Sequence, residues 1–129
     1  MPHAVIHRLR DAEPQDRQTI VLAVNNAVVE ALKVPEDTHP TRLCTYDREA
    51  FLIPKEASER FTLVEITVYP GRTLETRRAL YKAIVSHLQK LGIDPPDIRV
   101  VLYEVPLENW GLRGGTPASE IDLGFEIAI

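Results

Sequence analysis

Apolar positions alternate with polar ones at the head of the chain and again at its middle. His3 to Leu9 is apolar and β-branched with partial alternation, which predicts a strand. Phe61 to Tyr69 alternates most clearly: Val64, Ile66 and Val68 form one face, and Phe61, Leu63, Glu65, Thr67 and Tyr69 the other. Thr41 to Tyr46 and Asp97 to Val105 predict two further strands. Between these stretches the period changes. Ile20, Val24, Ala27, Val28 and Ala31 recur at helical spacing. This helix is expected to begin at Asp11-Ala12-Glu13-Pro14, with acids near its positive end, and to stop before Pro35. A second stripe runs through Leu80, Ala83, Ile84, Leu88 and Leu91, with His87 packed at its edge. Pro70-Gly71-Arg72-Thr73 reads as a tight turn with Thr73 as N-cap, and Gly92 closes the helix. Asp47 to Arg60 is a polar connector with Phe51-Leu52-Ile53 as a short extended piece. Asn109 to Gly115 reads as a hairpin, and Asp122 to Ile127 as a last short strand.

The halves repeat. A shift of 60 brings Ile6 onto Ile66, Arg17 onto Arg77, Ala23 onto Ala83, Pro35 onto Pro95 and Asp37 onto Asp97. The expected fold class is therefore α+β: two tandem β-α-β units, about 2–46 and 61–115 of a single domain over 1–129, forming one sheet with two helices on one face. The other sheet face would carry Phe61, Leu63 and Tyr69, which predicts cover from further copies of the chain. The shift also divides the chemistry. Pro2 falls on Thr62 and Arg72 on Ala12, so one unit supplies an amine and the other an arginine.

Composition excludes several classes. A net charge of −4 gives no general affinity for nucleic acid or anionic membranes. No apolar run approaches the roughly 20 residues of a membrane span, and charges come too early for a signal peptide. The lone Cys44 rules out an internal disulfide, is expected as a buried strand residue, and fits a reducing cytoplasm. His3 and His7 share a strand face but lie about 13 Å apart, too far to share a metal. Gly114-Gly115 precedes Thr116-Pro117 rather than a helix, so it reads as a turn and not a phosphate loop.

The chemistry centres on Pro2. A proline after the initiator methionine becomes an N-terminal secondary amine once the methionine is trimmed. An ordinary α-amino group has a pKa of about 7.7–8.0. Burial and nearby cations lower it, making a base near neutral pH. The bland alternative is a frayed end. Arg72, where a helix begins, suits a carboxylate together with the free N–H groups there; otherwise it is a surface arginine. Arg99 is a second cation or an exposed strand residue, and Trp110 is a pocket wall or core.

Tyr69-Pro70-Gly71-Arg72-Thr73, Ile98-Arg99-Val100-Val101, Glu104-Val105-Pro106 and Asn109-Trp110-Gly111-Leu112-Arg113-Gly114-Gly115 resemble the tautomerase superfamily. The second half is most similar to 4-oxalocrotonate tautomerase. The fused length and Val34-Pro35-Glu36-Asp37 are more similar to the malonate semialdehyde decarboxylase branch. By position the resemblance implies Pro2 as catalytic proline, Arg72 as carboxylate binder, Arg99 as carbonyl-polarising arginine, often from a neighbouring subunit, and Trp110 as pocket wall. It implies a homotrimer and no cofactor. Two departures stand out. Tyr69 occupies the place of the first of two arginines in the decarboxylase and dehalogenase branches, and either Asp37 or Thr38 occupies that of the water-activating acid.

The expected function is a cofactor-independent keto–enol tautomerase acting on a small carboxylate-bearing enol or 2-keto acid. Pro2 is its general base, Arg99 holds the enolate oxygen and Arg72 a carboxylate. Tyr69, Trp110 and Leu112 wall the site, and no metal is involved. The runner-up is a decarboxylase or hydratase with protonated Pro2 as general acid and Asp37 activating water. The third reading, favoured by retention of Met1, is a non-catalytic trimeric binding or structural protein.

Overall fold

The computed structural model describes residues 2–37 and 39–129; Met1 and Thr38, on which the processing question and one candidate acid fall, lie outside them. The alternating stretches form β1 (His3–Leu9), β2 (Thr41–Tyr46), β3 (Thr62–Val68) and β4 (Ile98–Glu104). They make one sheet in the order β2-β1-β3-β4. β1/β2 and β3/β4 are parallel, and the central β1/β3 pair is antiparallel. α1 (Arg17–Leu32) joins β1 to β2, and α2 (Leu74–Gln89) joins β3 to β4. Parallel neighbours need such crossovers.

Period dictates burial. Ala4, Ile6, Val64, Ile66 and Val68 face the helices and are buried against Ile20, Val24, Val28, Leu80, Ile84 and Leu88. Each such side chain contributes roughly 1.5–3 kcal/mol when fully buried, so this layer holds the two units together. Thr73 caps α2 as expected, accepting from the Thr76 N–H at 3.1 Å. Gly92, at φ +92°, turns the chain out of α2, and Ile93 N–H returns to the Leu88 carbonyl at 3.3 Å.

α1 begins later than Asp11–Pro14. Asp16 is its N-cap, accepting from the Thr19 N–H at 3.3 Å. The Glu13 and Pro14 carbonyls instead accept from the buried Arg8 guanidinium, at 2.7 and 2.8 Å, which ties this stretch to β1 ahead of the helix. Asp97 likewise precedes β4: its buried carboxylate accepts the Ser58 N–H at 2.7 Å and the Ser58 hydroxyl. The hairpin forms as β5 (Gly111–Leu112) with β6 (Thr116–Pro117). Phe51–Ile53 is not a strand; Phe51 packs its ring on Tyr46 and Phe61. Residues 122–127 form no strand either: Gly124 bends the chain at φ +77°. The segment lies over Tyr69 and Trp110 instead.

That cover corrects one expectation about the second sheet face. Phe61 and Tyr69 are already buried within the chain, while Leu63 is half-buried. Cys44 is half-buried rather than buried. A hydrogen-bonded row crosses this face, one residue per strand in sheet order. His7 Nδ1 meets the Tyr46 hydroxyl at 2.6 Å, His7 Nε2 meets Glu65 at 3.0 Å, and the Tyr103 hydroxyl donates to Glu65 at 2.8 Å. His87, at the core edge, pairs with Glu30 on α1 at 3.4 Å.

Candidate active site

Pro2 is buried at the head of β1. His3 pairs with Thr67, so the register carried one residue on sets Pro2 beside Val68, where β3 ends. There the chain turns sharply into α2. Gly71 sits at φ +126°, and a Cβ on it would meet the Ile127 carbonyl oxygen at 2.9 Å. Only glycine fits both the angle and the approach.

The turn delivers Arg72 into the interior. The residue is 5% exposed. Nη1 donates to the Tyr69 carbonyl at 3.2 Å, and the Phe125 ring centroid lies 5.9 Å from Cζ. Nε and Nη2 are buried without a hydrogen-bond partner. Burial pulls the guanidinium below the ordinary arginine value, with Tyr69 and Glu104 opposing. The Tyr69 hydroxyl beside it is also buried without a partner, and burial raises its pKa. Unmatched donors of this kind are costly in a protein interior. They suit an anion that brings its own acceptors.

Trp110 links this turn to the head of β1. Its ring meets Tyr69 at 4.8 Å and His3 at 5.2 Å, both edge-on, and Nε1 donates to the Val105 carbonyl at 2.9 Å. It thus stands behind Tyr69. A cavity of about 430 Å³ is lined by Asp37, Tyr69, Leu112, Arg113, Leu123 and Phe125 among others; Pro2, Arg72 and Trp110 are not among its lining residues. The sequence-based candidates Asp37, Tyr69 and Leu112 therefore share one space. Arg99 does not join them within this chain. It pairs with Leu63 near the start of β3, its Cζ 5.5 Å from the Phe61 ring centroid. Leu63 and Val68 are separated by about 16 Å of strand.

Three residues escaped the sequence reading. Phe125 stacks on Tyr69 at 6.2 Å and belongs to a stretch whose alternation read as a strand. Arg113 gave no signal beyond its place in a glycine-rich turn, where it takes φ +47°. His39 sits alone in a loop. Burial lowers its pKa and that of His3, and neither ring nitrogen of His39 has a partner at hydrogen-bonding geometry. Among the described residues, no cluster of His, Cys, Asp and Glu is arranged to hold a metal, and no helix is long and apolar enough to cross a membrane.

A family profile described as "Tautomerase enzyme" matches residues 40–113. The chain belongs to the tautomerase family. It is 24% identical over 121 residues to a protein of Bacillus subtilis (strain 168) described as a probable tautomerase, covering 89% of this chain and 95% of that one. Among solved structures, a fused 4-OT described as a symmetric trimer is 26% identical with a TM-score of 0.79, over 91% of this tautomerase family chain and 96% of the other. A malonate semialdehyde decarboxylase superposes with the same TM-score of 0.79 at 23% identity, over 88% and 90% of the two chains, a likeness of fold.

Proposed function

We propose that this family member is a cofactor-independent keto–enol tautomerase for a small carboxylate-bearing enol or 2-keto acid. The observation that carries the reading is Arg72: a buried guanidinium with two nitrogens unmatched, at the start of a helix. A substrate carboxylate supplies the missing acceptors, and the positive end of α2 adds to the attraction. Trp110 ties this anion site to the head of β1, where the Pro2 nitrogen takes a proton from the carbon beside the carbonyl and returns it at another carbon. Tyr69 and Leu112 keep the reacting carbon from water, with Trp110 fixing Tyr69 from behind.

The enolate oxygen needs a cation that this chain does not place beside its own Pro2. We assign that role to Arg99 of a neighbouring copy in a homotrimer; the symmetric assembly described for the fused 4-OT supports it. One observation favours the decarboxylase or hydratase reading. Asp37 lines the same cavity as Tyr69, so an acid is available there to activate water.

Ketonisation of a small carboxylate enol tests the choice. Arg72→Ala raises KM, because the carboxylate is held in ground and transition state alike. An Arg72→Ala enzyme with wild-type KM, or malonate semialdehyde turned over faster than any enol, contradicts the assignment.

A further inference from the structure

We propose that His39 is a positioning residue for Pro2, accepting a hydrogen bond from the prolyl nitrogen when that nitrogen carries the substrate's proton. This rests on Pro2 acting as the base. A secondary amine that has taken up a proton holds two N–H groups. One carries the proton in transit between carbons; the other, in a buried site, needs an acceptor.

The architecture offers His39 for that place. The parallel β1/β2 register pairs Ala4 with Thr41, and Ala4 N–H donates to the Pro40 carbonyl at 3.1 Å. His39 stands in the bend just before Pro40, one residue from the carbonyl that Ala4 holds at the head of β1. Two residues on, the Thr41 hydroxyl donates to Asn25 of α1 at 3.2 Å. Both ring nitrogens of His39 are buried without a partner at hydrogen-bonding geometry. An imidazole kept from water is an acceptor in want of a donor.

The charged and titratable groups at this end of the sheet are the chain's amino terminus, His3 on β1, Arg42 on β2 and Asp37 in His39's own loop. Burial lowers the His39 pKa first of all and the positive amino terminus adds to this; the Pro35 backbone opposes it and His3 adds a little more. His3 is lowered by burial and by Arg42. The ring therefore stays neutral at neutral pH, the form that can accept.

Three variants test this with an enol substrate: His39→Leu, His39→Gln and Pro2→Ala. Loss of the acceptor makes the prolinium harder to form. His39→Leu should lower kcat about tenfold or more, the scale of one charge-assisted hydrogen bond, with KM little changed. The rising limb of kcat/KM against pH should move down by about one unit. His39→Gln, whose carbonyl oxygen can accept, should restore most of both. A folded His39→Leu enzyme with the wild-type limb and kcat overturns the proposal. So does a Gln variant no better than Leu. If Pro2→Ala is inactive in that same experiment, the reading of Pro2 survives and only His39's role falls; an active Pro2→Ala removes both. Should His39→Leu not fold, ¹⁵N NMR of the wild type decides: the His39 ring nitrogen must shift as Pro2 titrates, and a flat response overturns the assignment.

Discussion

Arg72 carries an energetic tension that can be measured apart from catalysis. A buried guanidinium with unmatched N–H groups is a poor stabiliser, and replacing such a charge with an apolar side chain is often neutral or stabilising by 1–4 kcal/mol. Arg72→Met is therefore expected to melt no lower than the wild type while losing affinity for carboxylates. A saturated dicarboxylate should raise the wild-type Tm, by the equivalent of about 2.7 kcal/mol at a hundred times its Kd, and leave that of Arg72→Met unmoved. The histidines at the other end of the site give a second residue-scale expectation. His3 and His39 both have folded-state pKa values below the ordinary 6.5. As pH falls through 6.5 the unfolded chain takes up protons that the folded one does not, so stability declines. Denaturant midpoints from pH 7.5 to 5 should fall in the wild type and fall less in His39→Leu. Position made Pro2, Arg72 and Tyr69 legible in the sequence: each stands at the head of a strand or in a turn whose residue types announce it. His39 gave no such signal, because a lone histidine before Pro40 has no period and its burial is set by β1, distant in the chain.

Among elements, the turn from β3 to α2 does the positioning. Gly71→Ala forces a side chain into a left-handed angle against the Ile127 carbonyl oxygen. The strain alone is roughly 1–3 kcal/mol, and relief comes by lifting residues 125–127 off Arg72. Hydrogen exchange should show faster exchange confined to that tail, with activity reduced; a tail that exchanges at the wild-type rate argues against the coupling. The strands and helices were legible because their apolar periods match their burial, as in Ile20, Val24 and Val28 or Val64, Ile66 and Val68. Two boundaries were not. The start of α1 depends on Arg8 holding Glu13 and Pro14, a tertiary contact. Leu123, Phe125 and Ile127 alternate like a strand, yet Gly124 bends the chain among them, and their apolar side chains pack on Tyr69 and Trp110 instead.

At the scale of the whole molecule, one chain does not bring Arg99 to Pro2. Arg99 lies far from Pro2, and the connector holds out Leu52 at 98% exposure beside the packed Phe51. The proposed homotrimer would account for both features. Leu52→Glu should shift the assembly toward monomer by light scattering without unfolding it. Pro2→Ala and Arg99→Ala chains, each inactive alone, should regain activity when refolded together, since mixed trimers contain sites with an intact Pro2 from one chain and an intact Arg99 from another. No recovery would place Arg99 outside the reaction. The sequence pointed to association through an uncovered sheet face, but Phe61 and Tyr69 found cover inside the chain, from Phe51 and from the C-terminal segment. The measurement that bears most directly on the central claim is kcat/KM against pH for enzyme shown by mass to begin at Pro2. With Pro2 as a buried base and a neighbour's Arg99 as the proposed cation beside it, the profile is expected to rise through a single pKa below about 7.7, the lower end of the ordinary amino range, and the limb to vanish in Pro2→Ala. An amine titrating above about 9, or a limb unchanged in Pro2→Ala, would contradict it.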